Sequence, residues 1–168
     1  MNKKTALFAL AFVFTILAAN WLTTNFGFIP VGFGLTATAG TFAAGFALAF
    51  RDVIQESGGK RAVLVLALFG GLLSYLVSDI HIALASAVAF FISELFDFAI
   101  YTPLRKKGFA IAIIGSNFVG AIVDTVIFLA IAGFPIWVAV PGQLVGKLES
   151  TLLFLGVIYL VKVIRVKA

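Results

Sequence analysis

The sequence predicts an all-α integral membrane protein, a six-transmembrane-helix bundle with both termini on the cytoplasmic side. Three observations predict it. Of 168 residues, 62% are hydrophobic and 11% charged, with a mean hydropathy of +1.18, a composition foreign to soluble domains. The apolar residues fall into six runs of about the 20 residues that a helix needs to cross a bilayer. The basic residues gather in alternate connectors.

The runs are Thr5 to Leu22, Val31 to Phe50, Arg61 to Ser78, Ile82 to Tyr101, Phe109 to Gly133, and Gly142 to Ile164. All are expected to be helices, because lipid cannot satisfy the backbone of an open sheet. Lys3 and Lys4 before the first run resemble the start of a signal peptide, but Asn20 to Asn25 lacks a small-residue cleavage site. Connectors this short make successive helices antiparallel neighbours. None is long enough for a second domain, so residues 1–168 read as one transmembrane domain.

Orientation follows from charge. Lys3 and Lys4 precede the first run, Arg51, Lys60 and Arg61 mark the second connector, Arg105 to Lys107 the fourth, and Lys162, Arg165 and Lys167 the tail. The first, third and fifth connectors carry no Lys or Arg. All 12 basic residues except Lys147 therefore fall on one side, which the positive-inside rule makes cytoplasmic. The net charge of +5 reflects this placement and is no signal for nucleic acid. Cys is absent and His81 is the single histidine, so thiolate sites and a histidine-built metal centre are excluded. No cofactor is expected.

The chemistry lies in polar residues inside the runs. Glu94 and Asp97, with Tyr101 one turn on, share one face of the fourth. A carboxylate at mid-bilayer costs about 2.5–3.5 kcal/mol on insertion scales and faces a bundle interior or a partner. Asn117, Gly120 and Asp124 share a face of the fifth run; Gln143, Lys147, Ser150 and Thr151 share one of the sixth, with Glu149 pointing away. At about 1.5 Å per residue, Glu94 sits near mid-depth, Asn117 in the inner half near Asp97, and Lys147 in the outer half. Lys147 is expected to pair with Asp124 or Glu94. Four carboxylates against one lysine then leave acceptors without a protein cation. The alternative is a structural ion-pair network. In the second run Thr36, Gly40 and Thr41 either pack helices or line a cavity. Asp52 and Glu56, four apart, read as a solvated helix end or an interfacial acidic pair. Trp21 and Trp137 suit the outer interface, and His81 an exposed outer turn.

Four stretches in order, LAFRDVIQE (48–56), SELFDFAIYTPLR (93–105), SNFVGAIVDTVIF (116–128) and PGQLVGK (141–147), resemble the VUT family, the queuosine precursor transporters. The resemblance spans roughly residues 20–151 and looks like the compact branch, in which Arg51, Asp52 and Gln55 form an Arg-Asp-x-x-Gln motif. It implies a six-span prokaryotic inner-membrane importer of a 7-deazaguanine base, and not an enzyme. Such a base presents a ring N–H beside an amine, which a carboxylate accepts in bidentate fashion, and a carbonyl that needs a donor. Glu94, Asp97 and Asp124 would accept; Asn117, Gln143 and Lys147 would donate; Phe90, Phe98, Tyr101, Phe118 and Trp21 offer faces. The partners expected are the small-molecule base, lipid and a further copy of the chain. The compact plan is also similar to the binding subunits of energy-coupling-factor importers, which need an ATPase. A membrane enzyme would need a charged interfacial cluster, for which Asp52 and Glu56 alone qualify, without a nucleophile.

Overall fold

The computed structural model describes residues 3–167, with the side chains of 3, 4, 109, 110, 112–114, 158 and 161–167 left aside. The basic ends Lys3, Lys4, Lys162, Arg165 and Lys167 thus lie outside the described side chains. Five helices and one hairpin follow in order: α1 (Lys3–Phe26), β1 (Phe28–Pro30), β2 (Thr36–Thr38), α2 (Thr41–Ser74), α3 (Ile80–Leu104), α4 (Phe109–Ile131) and α5 (Ile136–Lys167). By length and composition α1 from Thr5, α2 and α3 can each cross a membrane, and a shorter apolar stretch covers Gly115–Ile131.

The helix α2 is not straight. Gly59 has φ 78° and ψ 169°, a conformation that only glycine adopts without strain. The first arm opens with Gly40 against Ala19 and Thr23 and brings Gly58 beside Thr5. The second carries Gly70 onto Ile16 and ends with Ser74 accepting from Asn20 Nδ2 at 2.9 Å. One arm therefore runs down α1 and the other runs back up it. The arms correspond to the second and third apolar runs, which the sequence separates at Gly58 and Gly59.

Several boundaries differ from expectation: α1 runs on to Phe26, and the first arm of α2 runs past Phe50 to the break at Gly59. Residues 31–40 are not helical. They belong to an antiparallel hairpin that pairs Phe28 with Thr38, Ile29 with Ala37 and Pro30 with Thr36. Its turn places Gly32, Phe33 and Gly34 at φ 91°, 52° and 72°. The Pro-Val-Gly-Phe-Gly sequence is itself a turn signal, and overall apolarity hid it. The last helix starts six residues before Gly142, with Pro141 inside it.

Packing relies on small residues. Phe12 is fully buried among Ala9, Ala47, Ile54 and Val63. On α3 the buried face is Ala83, Ala85, Ala89, Ser93, Glu94 and Asp97. Lipid is as apolar as a leucine side chain, so close van der Waals approach replaces the hydrophobic effect as the force between helices. The exposed Leu, Val and Phe side chains of α1, α3 and α5 match a lipid-facing surface. Asp79 caps α3 by accepting from the backbone N–H of His81 and Ile82, a contact worth about 1 kcal/mol.

Candidate functional site

Polar side chains gather at two levels of the bundle, and α4 contributes to both. One group, named inner after the orientation expected from the sequence as the other is named outer, centres on Arg51, whose residue is 3% exposed. Ala47, Arg51 and Ile54 lie on one face of the first arm of α2, and all three are buried. All three guanidinium nitrogens donate, in four bonds. Nη1 donates to Glu94 Oε1 at 2.5 Å, Nη2 to Asn117 Oδ1 at 2.7 Å and to Asp52 Oδ1 at 2.8 Å, and Nε to Asp52 Oδ1 at 3.0 Å. Asp97 Oδ1 stands 3.9 Å from Nη2. Asn117 Nδ2 returns a bond to Asp52 Oδ2 at 3.0 Å. The planar fork of arginine makes such multiple engagement possible. Gly120 of α4 faces Ser93 and Asp97 of α3 with room for an added Cβ.

Arg51 was counted among the cytoplasmic boundary cations, and the structure corrects that. It also corrects the inference that the carboxylates lack a protein cation: Glu94 pairs with Arg51. Asp52 keeps the exposure of a helix end, at 44%, while its carboxylate also closes a ring with Arg51 and Asn117. For Glu94, Asp97 and Asn117 the ion-pair network thus describes the arrangement better than an open acceptor site. The periodicity of α2 carried the missing signal, because Arg51 falls on the stripe of Ala47 and Ile54.

The outer group centres on Lys147. Its ammonium donates to Asp124 Oδ2 at 2.6 Å and to Thr125 Oγ1 at 2.8 Å. Of the two partners expected for Lys147, the structure selects Asp124. One turn earlier on α5, Gln143 Nε2 donates to Thr38 Oγ1 of β2 at 3.1 Å, and Thr38 meets Thr41 at 3.2 Å. Gln143, Lys147 and Ser150 are buried and Glu149 is exposed, as the helical spacing requires.

Asp124, Lys147, Gln143, Thr38 and Thr41 border a cavity of about 50 Å³. Asn20 and Thr23 of α1, Thr41 of α2, Asp124 and Phe128 of α4, and Gln143 and Lys147 of α5 line it. Thr38 and Gly40 close it toward the hairpin, which is seated tightly because Gly142 of α5 abuts the Thr36 carbonyl. A volume of that size suits water, whereas small-molecule sites run to about 300–1,000 Å³.

The seven expected site residues therefore separate. Glu94, Asp97 and Asn117 belong to the inner group; Asp124, Gln143 and Lys147 belong to the outer. Tyr101 joins neither: its ring lies 5.4 Å from Lys60 Nζ, which sits 3.7 Å over Phe98. Of the expected aromatic faces, Trp21 and Phe118 are exposed and Phe90 packs on Phe12. Phe128, not singled out from sequence, is the aromatic at the cavity.

A family model described as "Putative vitamin uptake transporter" matches residues 72–164. That segment covers α3, α4 and most of α5, with all seven expected site residues. No curated protein and no solved structure matches the chain.

Proposed function

Because this chain belongs to the "Putative vitamin uptake transporter" family, we propose that it imports a purine-like 7-deazaguanine base through the outer polar cavity. In this reading both arms of α2 cross the bilayer, giving six crossings with both termini cytoplasmic in a prokaryotic inner membrane. The observation that carries it is the joining of Asp124, Lys147 and Gln143 on one lined cavity beneath a hairpin. Asp124 accepts the ring N–H and amine, Lys147 and Gln143 donate to the carbonyl, and Phe128 offers its face. The Lys147–Asp124 pair keeps both charges compensated until a ligand with donors and an acceptor replaces it.

Room for a base requires movement. The bond from Gln143 to Thr38 ties the hairpin to α5, and releasing it opens the cavity toward the outer surface. The inner group fastens α2, α3 and α4 below it and forms the opposite barrier.

The test is uptake of radiolabelled 7-deazaguanine bases by vesicles holding the purified chain alone. The expected result is saturable uptake, reduced at least tenfold in Asp124→Asn with unchanged protein content. Uptake that appears only with an added ATPase module would move the chain to the energy-coupling-factor reading. Failure with every base would remove this substrate class.

A further inference from the structure

The inner group holds more acceptors than its cation can serve. Glu94 is fully buried and Asp97 is 2% exposed. Glu94 Oε2, Asp97 Oδ1 and Gln55 Oε1 are buried with no hydrogen-bond partner among the described residues. A buried carboxylate oxygen without a donor costs more than any other unmet polar group. Asp52, the third carboxylate, is 44% exposed, so water can compensate it. Two fully desolvated carboxylates are left with one guanidinium, and one negative charge is uncompensated.

The groups facing this point are few. Arg51 and Asp52 come from α2, Glu94 and Asp97 from α3, and the neutral Asn117 from α4. Lys60 is engaged over Phe98, and Lys147 by Asp124 and Thr125. Phe8 from α1 meets Phe50 at a tilt and Phe154 from α5 meets it edge-on. A metal ion is a poor answer, since among the described residues no three His, Cys, Asp or Glu side chains are placed to hold one.

We propose that Glu94 and Asp97 share one exchangeable proton beside Arg51, and that this proton is the coupling ion of the carrier. The coupling half rests on the import reading above; the proton site does not. The proton resides as an O–H on one carboxyl and turns an orphaned acceptor into a donor. It arrives from water on the Asp52 side and returns to water, and no other bond changes. With the proton bound, Arg51 faces one buried anion and the group is neutral inside. Without it, repulsion between Glu94 and Asp97 loosens the contacts that Arg51 makes with α3 and α4. Asn117 and Asp124 stand two turns apart on α4, about 10 Å, so a shift of α4 reaches Lys147 and the cavity.

Infrared difference spectroscopy on the reconstituted chain, without any base, tests the site. The expected result is a carboxylic-acid carbonyl band at neutral pH that is lost or displaced in both Glu94→Gln and Asp97→Asn. A spectrum without that band, or a band that both variants leave unchanged, overturns the proton site. Vesicles with a trapped pH dye test the coupling. An inward proton gradient should raise base uptake several-fold, with acidification of the lumen, and a protonophore should abolish the gain. Uptake indifferent to the gradient, or dependent on sodium instead, overturns the coupling while leaving the carrier in place. Absence of any uptake overturns the import reading and the coupling together, and the infrared band still decides the proton site.

Discussion

Arg51 Nη1 donates to Glu94 Oε1 across 43 residues of sequence, and both side chains are almost wholly withdrawn from solvent. Removing one member of such a pair leaves an uncompensated buried charge. Arg51→Ala should therefore cost about 3–5 kcal/mol of stability. Arg51→Lys should lose less, because it keeps the charge but cannot reach Asp52, Glu94 and Asn117 together. Thermal unfolding in detergent, monitored by circular dichroism, checks the order of wild type, Lys and Ala.

Lys147, which is buried, and Asp124, which is 18% exposed, form the second ion pair. Lys147→Asp or Asp124→Lys alone places like charges face to face, and each should sharply lower the unfolding midpoint. The double exchange should recover most of that loss, since coupling between contacting residues is non-additive. Base uptake should not recover, because donor and acceptor have changed sides. A double variant no more stable than the worse single one would remove the pairing.

The hairpin is seated through Gly142. A Cβ there would strike the Thr36 carbonyl, and backbone cannot step aside as a flexible side chain can. Gly142→Val should displace β2 at a cost of about 1–3 kcal/mol. With no native cysteine, Thr36→Cys provides a background-free reporter. Its labelling from outside should quicken when Gly142→Val is added. Unchanged labelling would show that the hairpin is not held by this contact.

Gln143 ties β2 to α5 through Thr38 and borders the cavity. Gln143→Ala removes one neutral hydrogen bond, about 1 kcal/mol, which is roughly a fivefold change in an equilibrium constant. The expected readout is a rise of that order in the KM for uptake, with membrane content unchanged. An unaltered KM would take Gln143 out of the site.

Gly59 joins the arms of α2 at a backbone angle reserved for glycine. Gly59→Ala should cost about 1–3 kcal/mol, whereas Gly156, where an added Cβ meets nothing within 4 Å, should tolerate alanine. Comparing the two unfolding midpoints separates backbone strain from a general intolerance of glycine replacement.

Much of this protein was legible because a helix writes its burial at fixed spacing. Glu94 with Asp97, and Gln143 with Lys147 and Ser150, could be assigned to shared inward faces from numbers alone. Even the pairing of Lys147 with Asp124 was among two choices that depth allowed. The break between the arms of α2, at Gly59, falls within the second connector expected between Phe50 and Arg61. The hairpin was less visible, since residues 28–40 are as apolar as a span, and only Pro30, Gly32 and Gly34 mark a turn.

What the sequence determined by itself is membrane residence, the inward faces of α3, α4 and α5 and the excess of acid among the buried polar groups. The tertiary structure alone decided that Arg51 lies inside among those acids and that the expected residues form two groups. The physical reason is that helical periodicity is a local property of one segment. Which faces meet, and at what height, depends on the rotation and axial shift of one helix against another. Those are set by places such as Gly45, where α2 lies against Lys147 and Ser150 of α5, and Gly142, where α5 lies against Thr36, and no single segment contains that information.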